Sequence, residues 1–345
     1  MSKRVALVLG SGGARGYAHI GVIDELRARG YEIVGLSGSS MGALVGGLQA
    51  AGKLDEYAEW ARSLTQRAVL RLLDPSITAA GVLRAGKILD AVRDILGEVR
   101  IEDLPVPYTA VATDLIAGRS VWLQRGPVDA AIRASIAIPG VITPHILDGR
   151  LLADGGILDP LPMAPLAAVN ADLTIAVSLG GSESGGRAEP VGGGPNGDDA
   201  PSNAEWLNRL LRSTSALMDS KSARAVLDTT AVQSMLNRFG TAADDEVAGA
   251  GEGSEDQLID SSKEAVVPKL GSFEVMNRTI DIAQAALARH TLAAYPPDLL
   301  IEVPRSACRS LDFHRAAEVI DIGRQLAVHA LDTLEKPDFT PLLAP

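Results

Sequence analysis

Val5-Ala6-Leu7-Val8-Leu9 is an uninterrupted apolar run that ends in glycines, the pattern of a strand buried on both faces of a parallel sheet. Tyr17–Arg29 follows with Ile20, Ile23 and Leu26 at helical spacing and Gly30 as its C-cap. Glu32–Leu36 reads as a second strand, and the small, apolar Met41–Ala51 as a buried helix. This β-α-β-α opening predicts an α/β fold with a parallel crossover. Asp55–Leu73 and Lys87–Leu96 are expected as helices, Tyr108–Thr113 and Ser120–Gln124 as strands, and Val128–Ser135 as a short helix. Leu151–Ala153 is expected as a strand ending at Asp154, and Leu173–Leu179 as a further buried strand. Ser272–His290 and His314–Leu334 are helical, with a late strand at Leu299–Val303 that completes the first sheet rather than founding a second core.

The pattern breaks twice. Gly180–Asn203 is rich in Gly, Ser, Pro and Asp and reads as a disordered insert. Thr241–Ser262 carries acidic residues without a basic one and reads as a solvated loop, since its spacing does not fit an EF-hand. The expected organisation is a catalytic core over 5–168, a further core strand over 169–179, and the insert over 180–203. Residues 204–334 complete the same domain around the acidic loop 241–262, and 335–345 form a tail.

Composition narrows the classes. Of 345 residues, 43 are acidic and 32 basic, a net charge of -11, which argues against nucleic acid as a partner. The single cysteine, Cys308, excludes an internal disulfide framework and a four-cysteine zinc site. No stretch has the roughly 20 apolar residues of a membrane span, and the apolar run after Met1-Ser2-Lys3-Arg4 is too short for a signal peptide. A cytoplasmic protein is expected, with any membrane contact peripheral.

Three short motifs carry candidate chemistry. Gly10-Ser11-Gly12-Gly13-Ala14-Arg15-Gly16 lies between a strand and a helix, where backbone amides are aimed at negative charge. A dinucleotide fingerprint would need an acid after the second strand, which ends Gly35-Leu36-Ser37-Gly38; a P-loop would need Gly-Lys-Ser/Thr. An oxyanion hole from the Gly12 and Gly13 amides remains, beside the plain alternative of a tight strand–helix turn. Gly38-Ser39-Ser40-Met41-Gly42 matches G-x-S-x-G in the strand-to-helix setting of a nucleophile elbow, with a helix N-cap as the bland alternative. Asp154-Gly155-Gly156 places a carboxylate at a strand end, which suits either an Asx-turn or a base that takes the Ser40 proton directly. His19, His145, His290, His314 and His329 are each read as packed or surface residues, because the elbow comes too early for a Ser-Asp-His order.

In this order the three motifs resemble the patatin-like phospholipase family, closest to its bacterial members. Ala134–Gly140 resembles the family's proline-bearing block, and Val111–Leu115 and Ser310–His314 are similar to other segments of bacterial members. Ser11 stands where the family's glycine element usually has its first glycine. The resemblance runs through Val5–Ala168 and implies a three-layer α/β fold with a mostly parallel central sheet flanked by helices. It implies Ser40 as nucleophile, Asp154 as base, Gly12 and Gly13 as oxyanion donors, and Gly10, Arg15 and Gly16 as support for that loop. The implied reaction is hydrolysis of a lipid acyl ester through an acyl-enzyme, with no metal, calcium or cofactor. A carboxylesterase or thioesterase on soluble acyl groups, or a silent regulatory protein on the same fold, are the alternatives. Apolar residues between Asp55 and Ile88 are read as helix packing in preference to a lid.

Overall fold

In a computed structural model, residues 3–72, 86–139, 141–181 and 272–335 are described. The insert 182–203, the segment 204–271 with its acidic loop, the stretch 73–85 and the tail 336–345 lie outside the described residues, so the expectations placed on them do too. Residues up to Arg187 and from Arg278 onward belong to one compact unit. The second unit is Ala188–Asn277, of which only residues 272–277 are described.

The described strands are β1 (Arg4–Leu9), β2 (Glu32–Ser39), β3 (Tyr108–Asp114), β4 (Arg119–Leu123), β5 (His145–Leu147), β6 (Arg150–Asp154), β7 (Leu173–Gly181) and β8 (Leu299–Pro304). Together they form one mixed sheet. Its parallel part runs β3-β2-β1-β7-β8. β4 and β6 join β3 antiparallel, and β5 pairs antiparallel with β6. The described helices are α1 (Ala18–Ala28), α2 (Met41–Ala50), α3 (Leu54–Arg62), α4 (Gln66–Leu72), α5 (Gly86–Leu96), α6 (Val128–Ser135), α7 (Ser272–Ala294) and α8 (Ala316–Leu334).

Alternation along the strands builds three layers. Val5, Leu7 and Leu9 of β1 and Ile175, Val177 and Leu179 of β7 face the main core, shared with α1, α2 and α8. Ala6, Val8 and Ala176 face the opposite side, against Leu161, Met163 and Leu166 and, from α7, Ala288 and Leu292. The all-apolar run of β1 is therefore the signature of helical or loop cover on both faces.

Several boundaries differ from the sequence expectation, β2 running on to Ser39 and α7 to Ala294. The helix expected over Asp55–Leu73 divides into α3 and α4, because Ser63 Oγ donates to the Trp60 carbonyl at 2.6 Å and Thr65 Oγ1 accepts the Ala68 amide at 3.2 Å. Val69 and Leu72 then pack with Leu64, Trp60 and Ile88, as expected for helix packing. β7 runs past Leu179 through Gly181, which pairs with Pro304 after a register shift. His145 lies in a short strand that the flanking prolines had hidden.

Candidate active site

The junction between β2 and β6 builds the site. Residues Val111 and Ala112 are neighbours on β3; Val111 pairs with Ser39 of β2 and Ala112 with Asp154 of β6. Because β4 occupies the opposite edge of β3 at these same residues, β2 and β6 lie end to end along one edge. β2 runs parallel to β3 and β6 antiparallel, so their carboxyl ends face each other.

At that junction Ser40 Oγ donates to Asp154 Oδ2 at 2.5 Å. Both residues are buried, at 2% and 4% exposure. Ser40 sits at φ 56° and ψ -122°, a positive φ that residues other than glycine seldom adopt, at the sharp turn from β2 into α2. Such a conformation costs on the order of 1–3 kcal/mol. Its neighbours hold it: the Ser40 amide donates to Ser135 Oγ at 2.9 Å, and Ser135 Oγ donates onward to the Val111 carbonyl at 2.6 Å. Gly38 and Gly42 are dictated by space, since a Cβ on Gly38 would meet the Gly42 carbonyl and one on Gly42 would meet the Leu9 carbonyl.

Asp154 is held as firmly. Its Oδ1 accepts the Gly156 amide at 2.7 Å, its own amide donates to the Ala137 carbonyl at 2.9 Å, and Thr113 Oγ1 donates to its carbonyl at 2.9 Å. Burial pushes its carboxyl up to about 6, against the lowering effect of the bonds from Ser40 and Gly156. A carboxyl with that value is half-ionised near pH 6, stays mostly ionised at neutral pH, and is far more basic than a free one.

The glycine loop lies against the first turn of α2. A Cβ on Gly16 would strike Met41, and one on Gly156 would strike Ser11 Oγ. Within the loop the Gly10, Ser11 and Ala14 amides donate to the carbonyls of Val177, Pro160 and Ser310. The Gly12 and Gly13 amides donate to no protein oxygen among the described residues. Gly13 takes φ 59°, which a side chain there would resist. Arg15, 4% exposed, donates from Nε to the Gly12 carbonyl at 3.2 Å and from Nη2 to Asp281 Oδ1 at 3.0 Å. Fixing the Gly12 carbonyl fixes the peptide plane that carries the Gly13 N–H.

His19 is fully buried and its Nε2 meets the Gly10 carbonyl at 2.9 Å. Burial lowers it to about 4, so the ring is neutral and Nε2–H donates. No histidine hydrogen-bonds to Ser40 or Asp154. Among the described residues no three His, Cys, Asp or Glu side chains gather as metal ligands.

Sequence reasoning assigned no role to Ser135, Ala137 or His19. The first two lie within the proline-bearing block Ala134–Gly140, whose described part joins Ser40 to Asp154.

This fold and these motifs define the class: the patatin-like phospholipase family profile matches residues 7–167. The chain belongs to the NTE family of patatin-like proteins, which are hydrolases of esterase and phospholipase type. An NTE family protein of Mycobacterium tuberculosis is 66% identical over 98% of this chain and 94% of its own length. A patatin-like phospholipase domain-containing protein of Caenorhabditis elegans is 32% identical over 52% of this chain and 14% of its own. The Drosophila melanogaster neuropathy target esterase is 31% identical over 52% of this chain and 13% of its own length.

Proposed function

We propose that this protein is a serine acyl hydrolase that cleaves lipid ester bonds, of phospholipase A or lysophospholipase type, through a Ser40–Asp154 dyad. The observation that carries the reading is the 2.5 Å bond from Ser40 Oγ to a buried carboxylate of raised basicity. A free serine hydroxyl is a poor nucleophile and needs an adjacent base. Asp154 Oδ2 takes the Ser40 proton as Oγ attacks the ester carbonyl carbon. The oxyanion that forms accepts from the Gly12 and Gly13 amides, held ready by Arg15, and each such donor is worth about 10²–10³ in rate.

Asp154 then returns the proton to the departing alkoxide, leaving an acyl group on Ser40. Water enters, gives a proton to Asp154 and attacks the acyl carbon. The proton returns to Ser40 as the fatty acid leaves. The strained backbone at Ser40 keeps Oγ aimed before substrate arrives, so little reorganisation is needed in the transition state. No helix among the described residues is long and apolar enough to cross a membrane.

The test is release of fatty acid from a lysophospholipid and from p-nitrophenyl esters of increasing chain length. The reading expects turnover that favours long chains and vanishes in Ser40→Ala. Turnover confined to short soluble esters would make the enzyme a general carboxylesterase.

A further inference from the structure

A pocket outside the dyad adjoins the same end of the sheet. Ser11 follows β1, Ser178 and Leu179 lie near the end of β7, Arg305 follows β8, and all four residues line it. These parallel strands are successive neighbours of β2, whose end carries Ser40. With strands about 4.8 Å apart, the pocket lies roughly 5–15 Å from the end of β2 along the carboxyl edge, where ligands bind in open α/β sheets. Its link to the dyad is close: a Cβ on Gly156, two residues from Asp154, would meet both Ser11 Oγ and Gln284 Nε2.

The lining has two characters. Leu161, Leu179 and Ala288 make an apolar wall, and Arg15, Arg305 and Gln284 make a polar end. The Arg15 charge is matched, since its Nη2 lies 3.0 Å from Asp281 Oδ1. Arg305 is different. Its Nη2 donates to the Asp281 backbone carbonyl at 3.3 Å, its Nε is buried without a partner, and among the described residues no carboxylate lies within ion-pair distance of it. A buried, unpaired guanidinium N–H calls for an acceptor. Two guanidinium groups against one carboxylate leave a local excess of one positive charge, in a chain whose net charge is -11. A planar guanidinium without a carboxylate partner, beside a side-chain amide donor, suits a phosphate oxygen.

We propose that Arg305 and Gln284 form a subsite for the phosphate group of a phosphorylated acyl ester, and so set the preference for phosphate-bearing over neutral acyl substrates. This rests on the hydrolase reading above. The substrate's acyl carbonyl sits at Ser40, its glycerol arm crosses the glycine loop, and its phosphate meets the Arg305 guanidinium and the Gln284 amide.

Two measurements decide it, both on the full chain. The first is calorimetric titration of the Ser40→Ala protein with glycerol 3-phosphate, glycerol and inorganic phosphate. Glycerol 3-phosphate is expected to bind at least about ten-fold tighter than glycerol, as one charge-assisted hydrogen-bonded pair provides. That advantage should be lost in Arg305→Gln and reduced in Gln284→Leu. The second compares hydrolysis of a 1-acylglycerol 3-phosphate with that of the monoacylglycerol of the same chain. The ratio of their kcat/KM values should fall about ten-fold or more in Arg305→Gln, with inorganic phosphate competing against the phosphorylated substrate. An unchanged ratio, equal binding of glycerol and its phosphate, or phosphate binding that does not compete with substrate would overturn the subsite. Should Arg305→Gln fail to fold, Gln284→Leu and the binding series decide alone. Absent hydrolysis of every ester by the unsubstituted protein would sink the hydrolase reading, while the titrations would still judge the subsite.

Discussion

Ser40 and Asp154, separated by 114 positions in sequence, occupy the facing carboxyl ends of two strands that meet along one edge of β3. β3 acts as the ruler: consecutive residues Val111 and Ala112 fix the registers of Ser39 and Asp154 respectively. A backbone ladder thus holds the pair, and neither side chain has to be positioned by a long flexible loop. The block Ala134–Pro139 adds a second tie, through Ser135 to the Ser40 amide and through Ala137 to the Asp154 amide.

In the proposed dyad, the raised value of Asp154 sets the acid limb of activity. The base must be ionised, so kcat/KM should climb with pH through about 6 and flatten above it, falling ten-fold per unit on the acid side. A pH profile on a neutral ester substrate, whose own charge is constant, checks this. A limb near 4 would mean that burial does not govern the carboxylate.

The same shift has a stability consequence of the opposite sense. A carboxyl whose folded value lies above its unfolded value near 3.8 binds its proton more tightly when folded. Its contribution to stability is therefore greatest below the unfolded value and declines as pH rises from there to about 6. Asp154→Asn removes that ionisable group while keeping an acceptor for Gly156. It should raise Tm relative to the unsubstituted protein at pH 8, with the gain shrinking by pH 4. Thermal melts at the two pH values give the answer, and a gain independent of pH would contradict the linkage.

In the proposed dyad, Ser135 acts as a positioning residue. Ser135→Ala leaves the buried Ser40 amide without its acceptor, at a cost of about 1–3 kcal/mol, and loosens the turn. Stability should fall by that amount in denaturant melts, and kcat should fall about ten-fold while KM changes little. Ser135→Thr, which keeps the hydroxyl, should recover part of kcat; equal kcat in both variants would remove the positioning role.

Arg15 holds the Gly12 carbonyl, so its loss should be felt in the transition state. Arg15→Met is expected to lower kcat about ten- to hundred-fold, less than deletion of an oxyanion donor itself. Steady-state kinetics with KM unchanged would agree. A loss expressed wholly in KM would place Arg15 in ground-state binding instead.

Sequence pattern reached the fold where burial is periodic or complete. The run Val5–Leu9 reads as buried on both faces because it is, between α1, α2 and α8 on one side and Leu161, Met163 and α7 on the other. It failed where local hydrogen bonds intervene: the split at Ser63–Thr65 turns on two hydroxyls that an apolar periodicity does not register. The residues alone left an Asp154 base for Ser40 beside a plain Asx-turn, and the family resemblance decided between them. The approach of the two side chains depends on β6 running antiparallel to β3, and pairing direction leaves no mark on a five-residue segment. Arg305 and Gln284 were silent for the same reason, since each is an ordinary polar residue until β8 and α7 bring them beside the glycine loop.

The most direct measurement is to map, by mass spectrometry of the digested protein, where a fluorophosphonate attaches. The adduct should fall on Ser40, vanish in Ser40→Ala and form at least about a hundred-fold more slowly in Asp154→Asn. Attachment at another residue, or an undiminished rate in Asp154→Asn, would contradict the dyad.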